Sequence, residues 1–101
     1  MHILMQVIMP NEPFNSYARK GNVGDKLGRI METIKPETAY FTNFDGKRGG
    51  IFVVEIDDAS QVPSLAEPFF MTFDAEVQFR VCMTPDELGR AGLDKIAKTW
   101  S

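Results

Sequence analysis

Two charged residues, Glu55 and Arg80, lie in segments that otherwise consist largely of alternating or continuous apolar residues. A carboxylate in a half-apolar pocket can act as a general base, and a guanidinium can anchor a carboxylate or an oxyanion. We therefore predict catalytic roles on a ligand for Glu55 and Arg80. The alternative is structural, because buried charges must be paired, and a network through Gln6 would neutralise both inside an interface.

Other polar side chains in the same phase of strand alternation would surround the bound ligand. Tyr40 is predicted to assist catalysis by orienting the ligand, and Gln6, Gln78 and Thr42 are predicted to bind it. A small-molecule pocket is usually apolar overall, with a few convergent polar groups that fix the orientation of the ligand. These residues are therefore candidates for ligand contacts.

The segment Asn11–Gly21 is polar and contains Pro13, so a long loop is predicted there. This loop would leave the end of the first strand beside the mouth of any cavity, and loops in such places often carry function. Phe14 and Tyr17 are therefore predicted to contact the ligand, with the loop as a lid. The alternative is a loop that Phe14 pins to the body of the protein.

The residue types give little support for metal or nucleotide chemistry. His2 is the only histidine, so a multi-histidine metal site is excluded. Its functional interpretation is an acid–base role at the edge of a cavity; the alternative is a frayed surface residue. Most other carboxylates are spread over predicted loops and helix faces without metal-ligand spacing, and the glycines form no phosphate loop. We therefore expect no metal and no organic cofactor.

Charge and composition argue against nucleic-acid and membrane partners. The chain of 101 residues has 11 Lys and Arg against 14 Asp and Glu, and its basic residues form no stripe. A polyanion-binding face needs clustered cations. No apolar run approaches the roughly 20 residues of a membrane helix. The single cysteine, Cys82, excludes an intramolecular disulfide and agrees with the reducing cytoplasm, where we expect the protein.

Alternation and turn residues predict four strands. His2–Met9 alternates and ends at Pro10. Thr38–Phe44 and Ile51–Asp57 are rich in residues with high strand propensity, and the Asp-Gly and Gly-Gly pairs between them are typical of hairpins. Glu76–Met83 has the clearest alternation of all. Strands two and three are therefore expected to be antiparallel neighbours.

Three helices are predicted around these strands. Asn22 caps the first, which Pro36 ends, and Asp58–Met71 forms a second that Pro68 should kink or end. A capping box at Thr84 begins a third, C-terminal helix. The apolar stripe that this last helix is predicted to bury comprises Leu88, Ala91, Ile96 and Trp100.

The element order β-α-β-β-α-β, followed by a last helix, predicts one ferredoxin-like α+β domain over residues 1–101. Right-handed crossovers give its antiparallel sheet the strand order 4-1-3-2. One sheet face is apolar and covered by helices. The other face is too apolar to lie bare in water and too polar for a dry core. It would bind nucleic acid, pack on a second copy of the chain, or be covered by the last helix.

The nucleic-acid interpretation is weakened by the positions of the aromatic residues. Arg48–Val53 resembles the third-strand signature of RNA-recognition motifs, which share this topology. However, Gly50 occupies the first stacking position, and Phe52 shares the phase of Val54 on the helix-covered face. We therefore expect no nucleic-acid partner.

The element order, the length and the half-polar sheet face resemble those of the dimeric α/β-barrel superfamily. That group includes antibiotic-biosynthesis monooxygenases, muconolactone isomerases and stress-responsive barrel proteins. The segments EPFNS, RIMETIKPETAYFT and LAEPFFMTFDAEVQFRVCMTPDELGRAGL also resemble those of a small bacterial family within it. The resemblance implies a homodimer in which two sheets face each other and each mixed face lines a cavity closed by the partner.

The resemblance also implies a function. The dimer would bind a small aromatic or polyketide-like molecule between sheet and helices and act as a cofactor-independent monooxygenase or isomerase. The Trp and Asn pattern of the monooxygenases is absent from the strands, because Trp100 lies in the last helix. This absence weakens the prediction of an oxygenation reaction in particular. The alternative is a non-enzymatic, stress-responsive or ligand-sequestering dimer.

Overall fold

Four strands form one antiparallel sheet in a computed structural model that describes residues 1–101. The strands are β1 (His2–Met9), β2 (Thr38–Phe44), β3 (Lys47–Glu55) and β4 (Glu76–Cys82). Their spatial order is β2-β3-β1-β4, with β1 between β3 and β4. This is the predicted order 4-1-3-2 read from the other edge, and it confirms the ferredoxin-like α+β fold.

Five α-helices and one short 3-10 helix connect and follow the strands. They are α1 (Asn11–Lys20), α2 (Val23–Ile34), the 3-10 helix Ala59–Gln61, α3 (Val62–Phe73), α4 (Pro85–Arg90) and α5 (Leu93–Thr99). The first three α-helices provide the layer that covers one sheet face. None of the helices has the combination of length and apolar composition that a membrane crossing requires.

The core lies between this helix layer and the sheet. Every second residue of β1 is buried, as its alternation predicts, and Met5 and Val7 are fully buried. Phe52 lies directly opposite Met5 on β3, and its ring stacks on that of Phe69 of α3 at a centroid distance of 5.4 Å. Because each apolar Å² removed from water contributes about 25 cal/mol, this layer dominates the stability of the fold.

The segment after β1 is a helix, so the predicted loop is wrong. Phe14 and Tyr17, one turn apart on α1, both pack on the ring of Phe73, each at a centroid distance of 5.6 Å. The Tyr17 hydroxyl donates a hydrogen bond of 2.8 Å to the backbone carbonyl of Thr72. This packing fixes α1 against α3 and offsets its polar composition.

Helices α1 and α3 each contain a proline, and neither proline ends its helix. Pro13 lies in the first turn of α1, where its missing N–H is not needed, and Gly21 ends the helix in the left-handed conformation at a φ of 76°. Pro68 lies inside α3, which continues to Phe73. The buried stripe of α3, which includes Phe69, holds the helix together despite the lost backbone hydrogen bond.

Helix α2 begins and ends where predicted but without the predicted capping bond. It starts at Val23, directly after Asn22, yet Oδ1 of Asn22 is buried and has no hydrogen-bond partner. The apolar stripe of α2 supplies its stability instead, since Ile30 and Ile34 are both buried against the sheet. Lys35 ends the helix in the left-handed conformation.

The β2–β3 hairpin is tighter than predicted. Its turn consists of Asp45 and Gly46, both at positive φ (51° and 81°), and β3 begins at Lys47 rather than Ile51. Gly49, predicted to lie in the turn, is therefore a strand residue. A Cβ atom there would overlap the backbone carbonyl oxygen of Val7 and come within 2.6 Å of a neighbouring ring. Glycine is required at this position for close packing rather than for turning.

The C-terminal arm, residues 84–101, departs most from the prediction. Its capping box forms as expected: the N–H of Glu87 donates to Oγ1 of Thr84 at 3.2 Å, and the N–H of Thr84 donates to the Glu87 carboxylate at 2.9 Å. However, Gly92, at a φ of 73°, divides the arm into α4 and α5. The predicted single C-terminal helix is therefore two short helices.

The apolar stripe of this arm is not buried within the chain, contrary to the prediction. Leu88 is 44% exposed, Ile96 47% and Trp100 85%. The chain measures 59 × 28 × 19 Å, and its radius of gyration is 17.0 Å, whereas a compact domain of this length has about 13 Å. The arm therefore projects from the body and does not cover the mixed face of its own sheet.

Candidate functional site

The sheet face opposite the helix layer, called the open face below, carries most of the predicted site residues. Directly opposed residues of neighbouring antiparallel strands lie on the same face, with Cβ atoms about 4.5–5.5 Å apart. One such row contains Gln6 and Gln78 beside Ile51, with Tyr40 at its edge. Thr42 lies in the next row, towards the hairpin.

Glu55 and Arg80 both project from the open face but are not linked through Gln6. Glu55 is paired with His2, whereas Arg80 is paired with Leu4 in the adjacent row. No ion pair joins Glu55 to Arg80, and neither side chain has a hydrogen-bond partner within the chain. The predicted structural network is therefore absent from the single chain, which leaves both groups free to contact another molecule.

His2 lies at the centre of a cluster of carboxylates at one end of the open face. Its Nε2 atom is 3.3 Å from Oε2 of Glu37, and its Nδ1 atom is 3.9 Å from Oε1 of Glu87. Donor atoms of His2, Glu37 and Glu55 all lie within 4.8 Å of one another. His2 is three-quarters buried, and its Nδ1 atom is inaccessible to solvent without a hydrogen-bond partner. It is therefore not a frayed terminal residue.

The Glu87 carboxylate is fixed next to this histidine by the capping box. Hydrogen bonds from the backbone and side chain of Thr84, with a smaller contribution from His2, hold the pKa of Glu87 below its ordinary value. Glu87 is therefore ionised at neutral pH and presents negative charge to the imidazole. The arm is thus coupled to the end of the open face through this contact.

Sequence reasoning missed the cluster because its members are distant in the chain. Glu37 lies just before β2, Glu55 ends β3, and His2 begins β1. No spacing rule relates positions 2, 37 and 55; only the pairing register of three strands brings them together. One sequence signal did point to this end of the sheet: His2 has the same strand phase as Leu4 and Gln6 of the mixed face.

Phe14 and Tyr17 lie on the opposite side of the sheet from the other candidates. Both pack in the helix layer against Phe73, and the Tyr17 hydroxyl is already bonded to a backbone carbonyl. The interpretation in which Phe14 anchors its segment agrees with this packing. These two rings could contact only a ligand that binds on the helix-covered side of the sheet.

The open face is a surface rather than a cavity in the single chain. A pocket of about 370 Å³ lies at its hairpin end, with Ile8 and Glu76 among its lining residues. Glu55, Arg80 and Tyr40 line neither this pocket nor the other two of the chain. Ligand sites are generally concave and bury most of the ligand, so a second element must cover this face before it can enclose a molecule.

Comparison with known proteins supports the fold. No family model and no curated protein matches this chain. Among solved structures, 5-chloro-2-hydroxyhydroquinone dehydrochlorinase from Burkholderia phenoliruptrix AC1100, in complex with 2,5-dihydroxybenzoquinone, is similar over 85% of this chain and 97% of its own, with a TM-score of 0.61 and 17% identity. The regulatory subunit of aspartate kinase from Thermus thermophilus is similar over 79% of this chain and 50% of its own, with a TM-score of 0.51 and 17% identity. The TM-scores show a shared ferredoxin-like fold, and at these low sequence identities they show the fold alone.

Proposed function

We propose that the protein is a homodimer that binds a small oxygenated organic molecule on the open face of the sheet. The observation that carries this proposal is a half-apolar sheet face with a charged end that has no cover in the single chain. Leu4, Ile51 and Val53 form its apolar centre and are only half-buried. Arg80 and Glu55 stand beside that centre without partners.

A second copy of the chain is the cover that we propose. Two surfaces need burial: the open face and the apolar stripe of the C-terminal arm, which projects from the same end of the sheet as the His2 cluster. An ordinary interface buries roughly 800 Å² per partner. At about 25 cal/mol per Å², the gross gain is tens of kcal/mol, of which association costs remove a large part. Sheet-to-sheet packing would convert the open face into an enclosed cavity.

The chemistry of the open face suits a small ring that carries acidic oxygens. Arg80 would hold an oxyanion, Gln6 and Gln78 would form hydrogen bonds to other oxygens, and Tyr40 would orient the ring over the apolar centre at Ile51. A protein of the same fold, the dehydrochlorinase described above, is known with 2,5-dihydroxybenzoquinone, a ligand of this class.

Isomerisation is the reaction that suits the residues of this site best. Isomerisation requires a proton to be removed and returned, which a carboxylate and an imidazole in reach of one another can perform. Glu55 is paired with His2 at the charged end of the open face. In this proposal Glu55 takes a proton from one carbon of the ligand, Arg80 stabilises the oxyanion that forms, and Glu55 returns the proton to a different carbon with the assistance of His2. Dimeric ligand sequestration without turnover is the second candidate, favoured by the placement of Glu55 and Arg80 in different rows of the open face.

Sedimentation of the untagged protein at micromolar concentration tests the dimer. We expect twice the chain mass of 11.4 kDa; a mass of 11.4 kDa would refute the dimer. Ile96→Glu, which places a charge in the apolar stripe of the arm, should yield monomer. Lys95→Glu, an exposed neighbour outside that stripe, is the matched control and should leave the dimer intact.

Titration calorimetry with 2,5-dihydroxybenzoquinone as the probe tests the ligand site. We expect Arg80→Ala to weaken binding at least roughly tenfold, since hydrogen bonds to charged groups contribute about 1.5–3 kcal/mol. Arg29→Ala, on the outer surface of α2, removes the same charge elsewhere and should have no effect. Equal affinities of the three proteins would contradict the site. Binding without protein-dependent exchange of the carbon-bound protons of the compound with deuterated solvent would favour sequestration over isomerisation.

A further inference from the structure

We propose that His2, Glu37 and Glu55 form a binding site for a divalent first-row transition-metal cation, with Glu87 orienting the histidine. The site lies at the charged end of the open face, where three strands bring these side chains together. It combines one imidazole nitrogen with two carboxylates. Such a donor set suits Zn²⁺, Mn²⁺ or Fe²⁺ better than the soft cations that prefer thiolates.

The spacing of the donor atoms fits coordination. Two ligands that are each about 2.0–2.1 Å from a tetrahedral ion lie roughly 3.3 Å apart. Nε2 of His2 and Oε2 of Glu37 are separated by 3.3 Å. The Glu55 donor lies within 4.8 Å of both, and its side chain is exposed and has no hydrogen-bond partner. A rotation of this one unrestrained side chain would complete a three-ligand set.

The other nitrogen of His2 supports the same interpretation. A metal-ligating histidine almost always donates its second ring N–H to a carboxylate or carbonyl, which fixes the tautomer and the ring orientation. Nδ1 of His2 is buried and has no hydrogen-bond partner, and the nearest carboxylate oxygen, on Glu87, is 3.9 Å away. Thr84 holds that carboxylate in place. A small approach of the ring to Glu87 would orient Nε2 towards Glu37 and the ion.

The charge balance of the cluster also favours a cation. Three carboxylates surround a single imidazole, and no Lys or Arg forms an ion pair with Glu37, Glu55 or Glu87. The nearest compensation is the charge of Arg90, which makes only a small contribution at Glu87. Carboxylates held this close repel one another unless a positive charge lies between them. A divalent ion would provide that charge and, with three protein ligands, would retain open positions for water or for an oxygen of a bound molecule.

This inference does not rest on the proposed function, because metal binding can be measured without an organic ligand. It changes two assignments: with the ion bound, Glu55 and His2 are both ligands, and neither transfers a proton. The proton-transfer role of Glu55 would then belong to the metal-free protein. Arg80 lies in the adjacent row, outside the cluster, and keeps its role in both forms.

Isothermal titration calorimetry of the full, untagged chain with Zn²⁺ and, separately, with Mn²⁺ tests the site. We expect at least one of the two cations to bind with one ion per chain. Glu37→Gln and Glu55→Gln should each weaken that binding by at least roughly tenfold, and Glu87→Gln by about 10- to 100-fold through loss of histidine orientation. Both Glu37 and Glu55 are exposed, so these variants should fold normally, which circular dichroism can verify.

Two matched controls separate this site from adventitious binding. Glu76→Gln removes a carboxylate from the opposite end of β4, and Arg80→Ala alters the ligand site alone; neither should change metal affinity. No binding at one equivalent of either cation would overturn the proposal. So would binding that survives both Glu37→Gln and Glu55→Gln, because chelation by His2 with the terminal amine would then explain it. Failure of the organic probe to bind would leave the metal result unaffected.

Discussion

The two faces of the sheet come from the same strands and differ only in which alternate residues they present. On the covered face, Met5, Val7 and Phe52 are fully buried and each meets a partner from the helix layer or a neighbouring strand. On the open face, Leu4 and Ile51 are half-buried. The covered face is completed within one chain, whereas the open face and the C-terminal arm remain exposed in it.

The two faces also differ in the kinds of side chain that they carry. Every buried side chain of the core is apolar. The charged and hydrogen-bonding groups of the candidate site lie outside it, where they have few partners within the chain. Unpaired polar groups are costly in a core but useful on a surface that will receive a ligand. The apolar core and the candidate site therefore lie on opposite sides of one sheet.

The largest expected effect tests this separation directly with two neighbouring residues of β3. Phe52→Ala should lower the free energy of unfolding by about 3–5 kcal/mol, because it leaves a cavity in the core. Ile51→Ala, on the open face, should cost about 1 kcal/mol in the monomer, because its side chain is only half-buried. Urea unfolding measures both. Equal losses would refute the contrast, and an Ile51 effect that grows with protein concentration would indicate that the open face is a dimer interface.

A smaller effect is expected from a pair of glycines. Gly49→Ala should destabilise the protein by about 1–3 kcal/mol, because the new Cβ atom would overlap the Val7 carbonyl oxygen between β3 and β1. Gly28→Ala should instead stabilise it by about 0.5–1 kcal/mol, because Gly28 lies inside α2 with nothing within 4 Å of the added atom. Thermal unfolding should show shifts of opposite sign. Shifts of the same sign would contradict this assignment of the tight contact.

The smallest effect concerns the capping box of the arm. Thr84→Ala should cost about 1 kcal/mol of local helix stability, because the N–H of Glu87 loses its acceptor. Since the arm makes few contacts with the body, hydrogen exchange should increase in α4 and remain unchanged in the core strands. Ser64→Ala, at an exposed helix position of α3, is a control that should leave α4 unaffected.

Acid should have the same local effect, and its direction follows from the Glu87 carboxyl. Thr84 hydrogen bonds lower the pKa of Glu87 in the folded arm. A lowered folded-state pKa contributes stability that is complete above the ordinary glutamate pKa of about 4.3 and is lost as the pH falls through the lowered value. The protection factors of the α4 amides, which correct for the intrinsic pH dependence of exchange, should therefore fall below about pH 4 in the wild-type protein, and protection factors that stay constant there would contradict the role of Glu87.

The sequence by itself determined the four strands, their order and the face on which each residue lies. These features depend on local physics: the period of two in a strand, the positive φ of the Asp45–Gly46 turn, and the capping box at Thr84. The helix α1 was not predictable in the same way. Its stability comes from the packing of Phe14 and Tyr17 on a residue far along the chain, which outweighs a polar composition with a proline.

Only the tertiary structure decided which residues meet. Alternation places Glu55, Arg80 and His2 on one face, but the strand register pairs Glu55 with His2 and Arg80 with Leu4. A shift of two residues would preserve every face and change every partner, so no pattern within one strand can specify the cluster at His2. The tertiary structure also decided the exposure of the arm. An apolar stripe indicates that one face of a helix packs against another surface, but it does not indicate which surface that is.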